Sequence, residues 1–364
     1  MKSVLTDLRR GLEEIRKFIE NSKLQRQLFI IVRKNEKSNL LLRPRELEDE
    51  VSKFMFHYDS FSNKKIFEYN TIIISLYGYF ENYIEEILKA YILSLRSYIK
   101  SFEDMPQKIK ENHADLSAQL IQNKNIPKYQ GLVSTEKIVT NMSLCQNDDP
   151  AYEINLDAYT YHTSNFREGS INEFFSKVGI DNISSLILRY PKFNDYIIEN
   201  EISKTIAFDI MNDLADRRNQ VAHGSVDNIL DIDILMGYID FFELYCCCLC
   251  EVLFMHSLDY RARNNIYQYC LNTPIEVYGR NIVCFEVTNV HLKKGDTLYA
   301  QTNNVAETIR YGTIQSIRIN DVEVNEITSG ENCKISIKVD FKVSENYSYF
   351  IPITDVNNST LQIV

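Results

Sequence analysis

The chain has little glycine and little proline, 11 Gly and 7 Pro in 364 residues. That excludes a collagen-like or low-complexity chain, which needs those residues in bulk. It has no excess of basic charge. Fifty Asp and Glu stand against 40 Lys and Arg, a formal net charge of -10. Phosphate contacts need Lys and Arg, so the total argues at first sight against a nucleic-acid partner. It lacks a long hydrophobic run. The most apolar segment, Leu244 to Met255, has twelve residues with Glu251 inside it, whereas a membrane span needs about 20. The opening MKSVLTDLRRGLEEIRKF holds no apolar stretch of secretory-signal length. The expectation is a cytoplasmic protein with no membrane partner.

Familiar catalytic motifs are missing too. There is no Walker A sequence, no GxGxxG after a strand, no H-E-x-x-H and no G-x-S-x-G. No two of the six histidines stand at a ligand spacing such as H-x3-H, so neither a zinc site nor any cofactor is expected. Four of the eight cysteines crowd into Cys246 to Cys250. They sit in the helical pattern Ile232, Leu235, Met236, Ile239, Phe242, Tyr245, Leu249, Leu253. Adjacent helical residues point to different sides, so one metal cannot collect all four. They read as small buried hydrophobes.

What is present is an ordinary globular composition, 45% hydrophobic and 25% charged, long enough for a sizeable core. At about 150 residues per domain it suggests two domains or three. Charge is uneven: residues 1–110 are net +4, 111–273 net -11 and 274–364 net -3. Local field matters more than the total at a cleft, so the acidity does not exclude RNA. It does predict modest, salt-dependent non-specific affinity.

Residues 1–273 read as helical. Leu5, Leu8, Leu12, Ile15 and Ile19 recur at helical spacing. A second helix is expected after Pro44, with Glu46 and Glu48 in its first turn. A third is expected over Phe67 to Lys100, with Ile73, Leu76, Phe80, Ile84, Ile87 and Tyr91 as its apolar stripe. Residues 122–168, rich in Asn, Asp, Ser and Thr, read as an irregular insertion with short elements. Ser170-Ile-Asn-Glu173 looks like a capping box. A helix is expected over Glu201 to His223, closed by Gly224, and a last one over Asn228 to about Ser257. From Pro274 the period changes to 2, and 274–364 read as five to seven short strands in a small barrel.

One segment carries chemistry: Asp213-Leu-Ala-Asp-Arg-Arg-Asn-Gln-Val-Ala-His-Gly-Ser225. Asn219 and His223 are i and i+4, on one helical face. Arg218 lies about 140° around from His223 on an ideal helix, with a side chain long enough to reach the same cleft. A guanidinium can clamp a phosphate and offset developing charge. An imidazole can move the proton of a 2′-OH or a leaving group. Asn can orient either. The bare R-x4-H pattern is weak, since 17 Arg and 6 His give about 0.3 chance occurrences. The plain reading is a surface Arg and a His that caps the last carbonyls.

The fuller string Arg218-Asn219-x-x-Ala222-His223-Gly224 resembles the signature of HEPN domains, R-x(4–6)-H with a polar residue after the Arg. Ile73-Ile-Ser-Leu-Tyr-Gly-Tyr-Phe-Glu-Asn-Tyr-Ile84 looks like the first long core helix of the RiboL-PSP-type HEPN group. His162-Thr-Ser-Asn-Phe-Arg-Glu-Gly-Ser-Ile-Asn-Glu-Phe-Phe-Ser-Lys-Val-Gly-Ile180 looks like the segment before that group's signature helix. The resemblance spans roughly residues 60–256. It implies a HEPN helical bundle, so that with the helical reading of 1–273 and the small barrel of 274–364 the chain is expected to be α+β, an all-α HEPN bundle followed by a small all-β barrel. It implies a homodimer in which two motifs share one cleft, and metal-independent endoribonuclease chemistry with Arg218, Asn219 and His223 as catalytic residues. Arg217 also fits the spacing, and Glu81 sits where such domains can place an acidic helper; both are auxiliary candidates. The setting implied is a toxin or antiphage effector that acts on tRNA or other translation-related RNA and is held by an inhibitory or activating partner protein.

The C-terminal part is similar to the β-barrel second domain of translational GTPases such as elongation factor Tu. The similarity lies in Val290-His-Leu-Lys-Lys-Gly-Asp-Thr-Leu, Thr313-Ile-Gln-Ser-Ile-Arg-Ile-Asn and Val324-Asn-Glu-Ile-Thr-Ser-Gly-Glu-Asn-Cys-Lys-Ile-Ser-Ile, with Ile327-Thr-Ser-Gly-Glu in place of the family's A-x-x-G-(D/E)-x. In that family the K-x-G-D segment turns a hairpin. The competing reading of the chain is a non-catalytic HEPN dimer that binds RNA and recruits a partner through its barrel.

Overall fold

The computed structural model describes residues 1–36, 45–126, 134–226, 228–266, 268–271, 273–304 and 307–352. Eleven α-helices come first among these residues: α1 (Lys2–Glu36), α2 (Arg45–Ser60), α3 (Lys64–Tyr98), α4 (Gln107–Gln122), α5 (Thr135–Gln146), α6 (Leu156–Tyr159), α7 (Glu168–Ser176), α8 (Ile183–Arg189), α9 (Pro191–Glu199), α10 (Asp209–His223) and α11 (Ile232–Arg263). Ten strands follow: β1 (Gln268–Cys270), β2 (Glu276–Tyr278), β3 (Ile282–Val287), β4 (Val290–Lys293), β5 (Thr297–Gln301), β6 (Ile309–Ile319), β7 (Val322–Val324), β8 (Glu326–Ser329), β9 (Cys333–Val339) and β10 (Ser348–Pro352). The architecture is α+β in two parts, a helical bundle and then an antiparallel sheet curled into a half-barrel.

Helix α3 is the spine of the bundle. Its stripe of Ile73, Leu76, Phe80, Ile84, Ile87 and Tyr91 is fully buried, and α1, α10 and α11 pack around it. Removing such a side chain to Ala costs about 2–5 kcal/mol in a close-packed core. Leu8, Leu12, Ile15 and Ile19 of α1 join the same core. Tyr83 of α3 donates to the carbonyl of Cys246 in α11 at 2.7 Å, and the Phe80 and Phe242 rings meet edge-on at 4.6 Å. Cys246, Cys248 and Cys250 are buried as small hydrophobes, and burial pushes the Cys248 thiol up to about 12 and Cys250 to about 11. Helix α11 is long and apolar enough to cross a membrane by length and composition, but 61% of its most apolar window is buried inside the protein.

The helix starts near the signature segment differ from the sequence expectation. Residues 201–208 do not extend α10. Asn200 and Glu201 close α9 instead: Glu201 takes φ 54°, and the Ile202 N–H reaches back to the Ile197 carbonyl at 2.9 Å. That is the two-bond termination usually built on glycine, here on a residue that gives no sequence signal. Helix α11 starts at Ile232 behind Asp231 rather than at Asn228, and runs on to Arg263. Helix α7 begins at Glu168, so Ser170 lies inside its first turn; the Ser170 hydroxyl accepts the Arg167 N–H at 2.8 Å. Within 122–168, α5 and α6 are packed rather than loose, with Tyr152, Ala158 and Tyr159 fully buried.

In the sheet the strand order is β1-β10-β5-β6-β9-β3-β2, with β7 on β6 and β4 paired separately with β8. More strands form than the five to seven expected, because β1, β7 and β8 are too short to show alternation. The Lys293-Lys294-Gly295-Asp296 turn does not make a hairpin of its flanking strands. β4 pairs with β8, whereas β5 pairs with β6 and β10. The last turns of α11 seat on this sheet, with Leu258 and Ala262 against Tyr299, Ile309 and Phe350.

Candidate functional site on the outer face of α10

Helix α10 ends as its sequence dictates. Gly224 takes φ 70°, its N–H bonds the Val221 carbonyl at 3.1 Å, and the Ser225 N–H bonds the Gln220 carbonyl at 2.9 Å. The positive φ is one that glycine adopts without a Cβ penalty. His223, the residue before the turn, is exposed, and its side chain makes no hydrogen bond among the described residues.

The two adjacent arginines have opposite surroundings. Arg217 points inward. Its Nε donates to Asp213 Oδ2 at 2.6 Å, and its Nη1 donates to the Tyr69 hydroxyl at 3.0 Å and to the Asn228 carbonyl at 3.1 Å. Burial pulls its pKa down, but the bonds to Asp213, Tyr69 and Tyr238 outweigh that and raise it. Tyr238 also donates to Asp213. Arg218 pairs with no carboxylate among the described residues. Its guanidinium lies over the Tyr77 ring, 5.4 Å from the centroid, and its Nη1 donates to Asn219 Oδ1 at 3.4 Å.

Asn219 is held in turn by the segment before α7. Asn165 Nδ2 donates to Asn219 Oδ1 at 2.7 Å. The Phe166 N–H donates to the Tyr77 hydroxyl at 2.9 Å, and Arg167 donates to the Asn212 carbonyl at 3.1 Å and to Asp216. The bond from Arg167 holds the Asp216 carboxyl below its usual range. Burial, then the Glu81 carboxylate, push the Tyr77 phenol up to about 12.

The structure thus joins Arg218 to Asn219 and leaves His223 one turn further on, bonded to neither. It separates Arg217 from them. Glu81 sits one turn after Tyr77 on α3, 3.7 Å from His162. Tyr77, Asn165 and Arg167 carried no role in the sequence reading. They stand in the two strings, Ile73–Ile84 and His162–Ile180, that flank the signature in the resemblance, and only the fold shows that both reach α10. Two sizeable clefts lie elsewhere. One of about 1130 Å³ lies between α11 and the sheet and includes Lys192, Glu251 and Arg310; one of about 590 Å³ includes Arg96, Asn141 and Asp157. Neither is lined by a residue of α10.

A family model described as RiboL-PSP-HEPN matches residues 38–254, more than half of the chain. The chain belongs to the RiboL-PSP-HEPN family. No curated protein matches it. The HEPN match runs through α3, the 162–167 segment and α10, so all the side chains joined above lie within it. The sheet lies outside it, and its curled form alone does not establish a translation-factor relationship.

Proposed function

We propose that this HEPN protein is a metal-independent endoribonuclease. The observation that carries the reading is the contrast on α10. Of the three arginines gathered there, Arg167 and Arg217 are matched by Asp216 and Asp213, and Arg218 alone has no carboxylate partner among the described residues, beside Asn219 and an exposed His223. An unmatched guanidinium can take a phosphate, with a two-pronged geometry suited to the scissile group. In the proposed step the ribose 2′-oxygen attacks the adjacent phosphorus and the bond to the 5′-oxygen breaks. The 5′-oxygen takes up a proton, and a 2′,3′-cyclic phosphate remains. His223 moves a proton at one of these oxygens, Arg218 offsets the charge on the phosphoryl oxygens, and Asn219 orients the phosphate.

In one chain Arg218 and Asn219 are half-buried and His223 is exposed and bonded to neither, which supports a homodimer whose two α10 ends complete one site. The family setting supports a toxin or antiphage role on tRNA or another translation-related RNA, with a partner protein that restrains or releases the activity and the β part as the docking module. Purified wild type and His223→Ala, incubated with total RNA in EDTA, test the reading. Fragments with cyclic phosphate ends from the wild type only are the expected result. Activity that vanishes in EDTA overturns the mechanism. The competing reading, a dimeric RNA-binding adaptor, is favoured by the lack of any bond between His223 and Arg218 within one chain. RNA binding without cleavage by either protein would establish it.

A further inference from the structure

We infer that Glu81, Glu85 and His162 form a binding site for one divalent transition-metal cation, which staples the 162–167 segment to α3. Glu81 and Glu85 are i and i+4 on α3, so their carboxylates share a face. His162 brings Nε2 to 2.8 Å from Glu85 Oε1 and 3.7 Å from Glu81 Oε1, and the three ligand atoms all lie within 4.8 Å of one another. Ligands bound about 2.0–2.2 Å from one ion stand at about this separation. Glu85 and His162 are nearly buried, with side chains 10% and 13% exposed, while Glu81 at 32% forms the rim. Water can therefore complete the coordination on the Glu81 side.

The second observation concerns the imidazole. His162 Nδ1 lies 2.9 Å from the Ser164 carbonyl, which can only accept, so Nδ1 carries a hydrogen. The other nitrogen is thereby aimed at two carboxylate oxygens, and a proton or a cation must lie between them. A carbonyl that fixes the tautomer from behind is the outer-shell arrangement of a ligating histidine. The donor set, one imidazole and two carboxylates without thiolate, suits Mn²⁺, Fe²⁺, Co²⁺ or Zn²⁺. Histidine spacing gives no hint of it, because two ligands are glutamates and His162 lies 77 residues beyond Glu85.

The function of the ion is positional. The residues that follow His162 are Asn165, which holds Asn219, and Arg167, which holds Asp216. Fixing His162 to α3 fixes this wall of the α10 site. None of the three ligands bonds Arg218, Asn219 or His223 among the described residues, so the inference stands apart from the nuclease reading, and cleavage is expected to persist in EDTA.

The test reads binding directly. The full chain is stripped with EDTA, desalted and titrated with Mn²⁺, which the cysteine thiols bind poorly. Free Mn²⁺ is followed by electron paramagnetic resonance, and melting is followed in parallel. One Mn²⁺ per chain is expected, with a melting rise of about 2–4 °C at saturation. Glu81→Gln and Glu85→Gln are expected to bind at least about tenfold more weakly and to lose the rise. Glu81 is at the rim, so Glu81→Gln tests the site even where a change at His162 costs folding. No Mn²⁺ bound at millimolar concentration, or equal binding by the wild type and both variants, overturns the proposal.

Discussion

Polar groups in the helical interior and those on the outer face of α10 meet opposite fates. Inside, most are matched by a fixed partner, the Asn70 amide oxygen and the Tyr245 hydroxyl being the exceptions among the described residues. His113 accepts the Asn155 N–H at 3.2 Å, Asn155 donates to Ser117 and the Ile138 carbonyl, and Asn141 donates to Asn155. Arg217 is bound on three sides. Outside, one residue further along the chain, Arg218 meets no carboxylate among the described residues and His223 stands in solvent. A buried donor without a partner costs about 1–3 kcal/mol, so the interior leaves few. An exposed one costs nothing and keeps its chemistry for a ligand. The difference teaches that adjacent residues of one type, both allowed by the signature, divide by the face they occupy into one held by fixed bonds and one left open to a ligand.

The largest effect that sharpens this division comes from exchanging the two arginines' fates. Arg218→Ala is expected to cut RNA cleavage about 1000-fold, near 4 kcal/mol of transition-state stabilisation, with an unchanged melting temperature. Arg217→Ala is expected to cost about 1–3 kcal/mol of stability, because it removes the partner of the Tyr69 hydroxyl and leaves Asp213 with Tyr238 alone. At temperatures where the variant stays folded its cleavage should remain within about tenfold of wild type. Cleavage assays paired with chemical denaturation check both. Equal losses of stability in the two variants would break the comparison.

Acid probes the interior from another side. Burial drives the His113 imidazole down to about 4, below its ordinary value near 6.5. The unfolded chain therefore binds more protons than the folded chain between those values, and stability falls as pH falls through that window. His113 alone should remove about 2 kcal/mol between pH 7.5 and pH 5. His113→Gln, which keeps an acceptor for the Asn155 N–H, should lack that slope. Urea unfolding at several pH values decides it, and an equal slope in the variant refutes the assignment.

How far the sequence could be read follows the same division. The stripe of α3 was legible because burial on one face imposes a period, and every residue of it is buried. The end of α10 was legible because Gly224 is what a left-handed turn demands. The start of α10 was not, since Glu201 takes its positive φ through local bonding that no residue type announces. The different surroundings of Arg217 and Arg218 were not legible either: both fit the spacing, and Tyr69, which holds Arg217, is 148 residues away. Asn165 was invisible as a site residue because its partner Asn219 is 54 residues on. Local periodicity is written in the sequence, whereas long-range hydrogen bonds are a product of the fold.

A smaller effect tests the wall of the site. Asn165→Ala removes the 2.7 Å bond to Asn219 and leaves Asn219 held by Arg218 alone. Cleavage should fall about tenfold through kcat, with melting changed by less than about 1 °C, because a positioning bond acts in the transition state rather than on the core. Asn165→Asp, which cannot donate and places an anion beside Arg218, should be worse than Ala. A rescue by Asp would refute the donor role.

The smallest expected effect lies at Gly224, where space and conformation can be separated. An added Cβ there meets nothing within 4 Å, so Gly224→Ala has no clash to relieve. What remains is the φ of 70°, which costs a Cβ-bearing residue about 1–2 kcal/mol. Gly224→Asn should recover most of that loss, since Asn tolerates the left-handed region. If Ala instead proves neutral, the helix end has given up its left-handed turn. The Ser225 to Gln220 bond would then be lost and His223 re-aimed, so cleavage would drop in a variant of unchanged stability. The order of Gly, Asn and Ala in melting temperature, set beside their order in cleavage rate, tells whether the turn serves the helix or the histidine.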